Sequence, residues 1–141
     1  MNNSYVRTFA LLIILILIVG CETLSHGKVL DAGNAVELRS YQTRVFDTTD
    51  RVQTLRTVIA TLQDLSFVID KADATLGSVS ATRLDGHELR LTVTVRPRGD
   101  KQLLVRANAQ WELIAVEEPQ LYQNFFTSLE KSMFLAAHHV D

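Results

Sequence analysis

The sequence predicts an α+β fold: one antiparallel sheet with two helices on one face, in the order β-α-β-β-β-β-α. Three observations carry this reading. Segments 88–96 and 103–111 alternate apolar and polar residues with a period of two. Turn residues separate neighbouring β-like segments, above all Asp85-Gly86, so consecutive strands run antiparallel. On either side of this block, apolar residues recur instead at three- and four-residue steps, the period of a helix.

Val36 to Phe46 holds β-favouring residues in loose alternation and reads as the first strand. Asp47-Thr48-Thr49-Asp50 supplies side chains that can cap a helix N-terminus. Val52, Leu55, Val58, Ile59, Leu62 and Leu65 then mark the apolar face of that helix, and Arg51, Thr54, Arg56, Thr57, Thr61 and Asp64 lie on its other side. Ser66 to Lys71 is a short strand, and a polar link over 73–77 leads to a strand at Ser78 to Leu84. After the Asp85-Gly86 turn, Leu89, Leu91, Val93 and Val95 form one face of a strand whose other face carries Glu88, Arg90, Thr92, Thr94 and Arg96. Pro97-Arg98-Gly99-Asp100 reads as a turn. Leu103, Val105, Ala107, Ala109 and Trp111 alternate with Leu104, Arg106, Asn108, Gln110 and Glu112. Glu118-Pro119 marks a helix start, since proline suits the first helical position. Tyr122, Phe125, Phe126, Leu129, Met133 and Phe134 make the last helix rich in aromatic residues.

Composition bounds the function. The chain has 141 residues and a formal net charge of −2, with 47% apolar and 21% charged residues. That is one globular domain, and no nucleic acid partner is expected of so balanced a charge. A single cysteine excludes an internal disulfide and a Cys-rich zinc site.

That cysteine sits in an informative place. Residues 1–7 are polar and include Arg7, and the apolar run from Phe9 to Val19 ends at Gly20-Cys21. The run is too short for a bilayer, which needs about 20 helical residues, and fits the apolar core of a secretory signal, about 7–15 residues long. Ile18-Val19-Gly20-Cys21 resembles the bacterial lipobox: aliphatic or small residues, a small residue, then a cysteine. The resemblance implies cleavage between Gly20 and Cys21 and a thioether-linked diacylglycerol on Cys21, with acylation of the new N-terminus. Glu22, where an aspartate would retain an enterobacterial lipoprotein at the inner membrane, implies the outer membrane and a domain facing the periplasm. The expected organisation is a signal peptide over 1–20, a lipidated tether over 21–34 and one domain over 35–141.

The element order also looks like the helix-grip arrangement and resembles the C-terminal domains of BamC-type outer-membrane lipoproteins. The segments that carry it are Leu62-Gln63-Asp64-Leu65-Ser66-Phe67 leading to Gly77-Ser78-Val79, and Tyr122-Gln123-Asn124-Phe125-Phe126. The resemblance implies topology and no activity.

Catalytic chemistry finds little support in the sequence. His138 and His139 are adjacent, so on a helix they point about 100° apart and do not converge on one metal. His26 lies in the tether and His87 beside a turn. No nucleophile elbow or phosphate loop is present, and Glu117-Glu118 is the only adjacent carboxylate pair. No catalytic residue, metal or cofactor is therefore expected.

The expected function is a non-catalytic accessory or docking subunit of an envelope assembly or export complex, held to the membrane through the lipid on Cys21. The alternative is a carrier or sensor of a small apolar ligand held between the last helix and the sheet. With two helices on one face the other face stays free, so the candidate partner surface is Arg90, Arg96, Arg106 and Asn108, with Thr92, Thr94 and Gln110 beside them. The outer side of the first helix, with Arg51, Thr54, Thr57 and Thr61, competes for this role.

Overall fold

A computed structural model describes residues 31–138. The expected signal segment, Gly20, Cys21, His26, His139 and the tether up to residue 30 lie outside the described residues. The elements are α1 (Asp31–Tyr41), β1 (Thr43–Phe46), α2 (Arg51–Asp64), β2 (Val68–Asp73), β3 (Ser78–Asp85), β4 (His87–Arg98), β5 (Gln102–Trp111), β6 (Ile114–Ala115) and α3 (Pro119–His138). The α+β class and the antiparallel sheet of the sequence reading are present, and α2 and α3 bury their apolar stripes in the same core as one face of the sheet.

The first strand is corrected. Val36 to Tyr41 is helical, and only Thr43 to Phe46 is strand. The alternation was incidental: Val36 is exposed, while Leu38 and Tyr41, three residues apart, pack half-buried against the core. Local bonds favour the helix, with Tyr41 donating its hydroxyl to Glu37 Oε1 at 2.9 Å and Ser40 Oγ donating to the Glu37 carbonyl at 2.6 Å. The hydrogen bond to the Glu37 carboxylate, and the negative charge behind it, raise the Tyr41 phenol above its ordinary pKa. The helix begins at Asp31, inside the stretch expected as tether.

α2 starts where the capping cluster puts it. Asp50 Oδ1 accepts from Gln53 N at 2.9 Å, taking up one of the unpaired donors of the first turn. Its end has no glycine. Ser66 takes the left-handed conformation at φ 65°, with Ser66 N donating to the Gln63 carbonyl and Phe67 N to the Leu62 carbonyl, both at 2.9 Å. These are the two bonds of a Schellman motif, and the buried pair Leu62 and Phe67 supplies its apolar contact.

The sheet order is β1-β5-β4-β3-β2, antiparallel throughout, with β6 also on β5. On β4 and β5, Leu89, Leu91, Val93, Val95, Leu103, Val105, Ala107 and Ala109 are all buried, as the alternation predicts. β4 runs on through Pro97 and Arg98, so the expected turn is confined to residues 99–101. β6 is an additional strand of two residues, too short to leave a periodic signal.

β1 and β6 share the edge of β5 that faces away from β4. β1 pairs with Leu103 to Arg106 and β6 with Gln110 and Trp111. In the gap between them Ala107 N donates to the Gln42 carbonyl and Val116 N to the Ala109 carbonyl, each at 2.9 Å. The buried hydroxyl of Tyr122, on α3, closes this gap. It donates to the Val116 carbonyl at 2.6 Å and accepts from Gln42 Nε2 at 3.2 Å and Ala109 N at 3.3 Å. One aromatic side chain thus joins α3 to both segments that complete the β5 edge.

Tyr122, Phe125, Phe126 and Leu129 fill the space between α3 and the sheet. Phe134 departs from the expected core face and is 62% exposed. Counting 100° per residue, it lies well off the stripe formed by the other four.

Candidate functional site

The sheet face away from α2 and α3 is built by register. Along β4 it presents Glu88, Arg90, Thr92, Thr94 and Arg96, because their odd-numbered neighbours point into the core. On β5 Gln110 stands opposite Arg90, Asn108 opposite Thr92, Arg106 opposite Thr94 and Leu104 opposite Arg96. β1 extends the rows with Thr43 opposite Arg106, and β3 with Ser80 opposite Thr92 and Thr82 opposite Arg90. Hydroxyl groups link the strands: Ser80 Oγ lies 3.3 Å from Thr92 Oγ1, and Thr82 Oγ1 donates to Asp70 Oδ2 at 2.6 Å.

Arg90, Arg96, Arg106 and Asn108 therefore share one face, but they are not equivalent. Arg90 is bound to Glu88, with its Nη2 2.7 Å from Oε1. Arg96 stands six residues further along β4, about 20 Å away at strand rise. Arg96 and Arg106 are diagonal neighbours across β4 and β5, about 7–8 Å apart by strand geometry, and neither has an ion-pair partner among the described residues. Asn108 is exposed between the two groups. Thr43 belongs to this site and is missed by sequence reasoning, because the pairing of β1 with β5 leaves no local signal. Arg98 is missed as well, since Pro97 and Gly99 mark it as a turn residue.

The competing surface on α2 is corrected. Thr54 and Thr61 are fully buried and Thr57 nearly so. They form the flank of α2 that turns toward α3, beside the Leu55, Val58 and Leu62 stripe. Burial of Thr54 and Thr57 is tolerable because Thr54 Oγ1 donates to the Asp50 carbonyl at 2.8 Å and Thr57 Oγ1 to the Gln53 carbonyl at 3.0 Å, leaving the methyl groups to pack, whereas Thr61 Oγ1 is buried without a partner. Arg51 is half-buried and donates through Nη2 to the Thr75 carbonyl at 2.9 Å, which ties the β2–β3 turn to α2. The exposed side of α2 is instead Val52, Gln53, Arg56, Ala60 and Gln63.

An open cleft of about 530 Å³ lies between the start of α2 and the end of α3, lined by Phe46, Thr54, Glu130, Met133 and Phe134 among others. It does not extend beneath α3, where the aromatic core is closed. Among the described residues no group of three His, Cys, Asp or Glu side chains could hold a metal ion, and no helix is long and apolar enough to cross a membrane. His138 stacks on Phe134 with ring centroids 4.1 Å apart, and its Nδ1 lies 2.7 Å from the Phe134 carbonyl. No family model matches the chain, and no curated protein matches it either.

Proposed function

We propose that this chain is a non-catalytic docking lipoprotein of the bacterial envelope, tethered to the outer membrane by a lipid on Cys21. Its domain binds a larger envelope assembly or export complex through the open face of the sheet. The observation that carries the reading is the division of the sheet: one face is closed by α2 and α3, and the other presents ordered rows of Arg, Thr, Asn and Gln on rigid strands. Such a face makes many hydrogen bonds without rearrangement, so little ordering cost accompanies binding. Two helices on one face of an antiparallel sheet also support placing the domain with helix-grip domains of the BamC type. The filled space under α3 favours docking over the carriage of an apolar ligand there.

The test is a crosslinked pull-down of the lipidated protein from native membranes, compared with the triple variant Arg90→Glu, Arg96→Glu, Arg106→Glu. The expected outcome is loss of the wild-type partners with only a modest fall in melting temperature: the exposed Arg90 and Arg96 should each cost no more than about 0.5 kcal/mol, and the half-buried Arg106 somewhat more. Unchanged partner recovery would refute the assignment of the sheet face.

A further inference from the structure

The basic residues of the open face are concentrated at one end, where Arg96 and Arg106 have no ion-pair partner among the described residues. Resting on the reading of this face as the binding face, we propose that Arg96 and Arg106, with the hydroxyls of Thr43 and Thr94, form a receptor for a phosphate group.

Register puts the four side chains together. Arg106 stands between Thr43 of β1 and Thr94 of β4, and Arg96 is its diagonal neighbour. Enclosure by both neighbouring strands leaves Arg106 Nε buried with no acceptor. A buried donor without a partner is costly, and turning the guanidinium toward an anion on the open face would satisfy it. The two guanidinium groups also repel each other across the strands, a cost that a shared anion removes. Two other arginines do lie against carboxylates: Arg44 is 3.6 Å from Glu130, and Arg90 is 2.7 Å from Glu88. At the Arg96 end the next charge along β4 is a third arginine, Arg98. The carboxylates near this end are Asp47, which accepts from Gln102 Nε2 at 2.6 Å, and Asp100, in the turn beside Arg98 and Lys101.

The chemistry selects phosphate over carboxylate. A carboxylate carries one negative charge, and its acceptor sites all lie near one plane, two of them taken by a single guanidinium fork. A phosphate offers oxygens on several sides and up to two negative charges. It can therefore accept from both guanidinium groups and from two hydroxyls at once. The source is either a lipid headgroup or a soluble phosphate ester.

The experiment follows the Nε–H resonances of arginine side chains by NMR in the full chain, held in uncharged detergent and titrated with inorganic phosphate at constant ionic strength. The Arg106 signal should move saturably. Arg106→Lys, which keeps the charge but loses the fork and Nε, should weaken binding about tenfold or more, the loss expected when a hydrogen bond to a charged group is removed. Arg90→Gln should leave binding unchanged. An Arg106 signal that stays still, or equal weakening by Arg90→Gln and Arg96→Gln, would overturn the proposal. In a parallel arm, binding to phosphatidylglycerol vesicles that is lost in Arg106→Lys identifies a lipid headgroup as the source. Binding of inorganic phosphate without vesicle binding identifies a soluble ester. If phosphate fails to bind while the triple charge reversal still abolishes partner recovery, the docking reading stands, the partner is an acidic protein, and the phosphate receptor is refuted.

Discussion

Gly77 is held more tightly than Gly86 or Gly99. Its φ is +68°, its amide donates to the Asp73 carbonyl at 2.8 Å, and its carbonyl accepts from Val95 N at 2.8 Å. A Cβ here would meet the Val95 carbonyl oxygen at 2.5 Å and also run into the Arg51 guanidinium. The left-handed backbone alone costs an alanine about 1–2 kcal/mol, and the steric conflict adds a further 1–3 kcal/mol or so. Gly77→Ala should therefore lower stability by about 2–5 kcal/mol in a urea titration. Adding Arg51→Ala should recover only part of this, because the Val95 carbonyl is backbone and cannot swing away. Full recovery would place the whole cost on the guanidinium. The position is legible in the sequence as a glycine in a polar link, but the identity of its neighbours is not, because Arg51 and Val95 come from distant elements.

Among the elements, the end of α2 offers a cleaner test. The Schellman turn places Ser66 where glycine is usual. Ser66→Gly should stabilise the protein by about 0.5–1 kcal/mol, the left-handed penalty less the extra freedom that glycine gives the unfolded chain. It should appear as a higher urea midpoint with an unchanged slope, and a lower midpoint would contradict the assigned geometry. The same helix shows what the sequence reveals and what it hides. The cap at Asp50 and the stripe Leu55, Val58, Leu62 are local and readable. The burial of Thr54, Thr57 and Thr61 depends on α3 arriving beside them, and threonine reads as a surface residue until that neighbour is known. α1 fails for a related reason: Val36 to Tyr41 satisfies a period of two as well as a three-residue step, and only packing of Leu38 and Tyr41 on the core decides. β4, β5 and the start of α3 at Pro119 are readable because a long alternation and a proline at the first helical position leave no competing period.

At the scale of the whole molecule, the proposed anchor and the proposed binding face are separate devices. Cys21→Ser should leave an unprocessed, unacylated precursor, detectable by electrophoretic mobility and by loss of metabolic labelling with palmitate. A normally sized variant that still partitions into detergent would contradict lipidation. The candidate face itself was partly legible. Alternation along β4 and β5 places Arg90, Arg96, Arg106 and Asn108 on one side, but the grouping of Arg96 with Arg106, apart from Arg90, comes from strand register and from Glu88.

The shared edge of β5 also dictates an order of events. Strands β2 to β5 follow one another through short turns, so their contacts are local and form early. β1 reaches β5 only by closing a loop of roughly sixty residues, which is entropically slow. Gln42 and the Tyr122 hydroxyl can engage only after both β1 and α3 have arrived. Loop length thus makes the pairing of β1 with Leu103 to Arg106 the late step, and until it happens that part of the β5 edge is an open template on which another unfolded copy can pair.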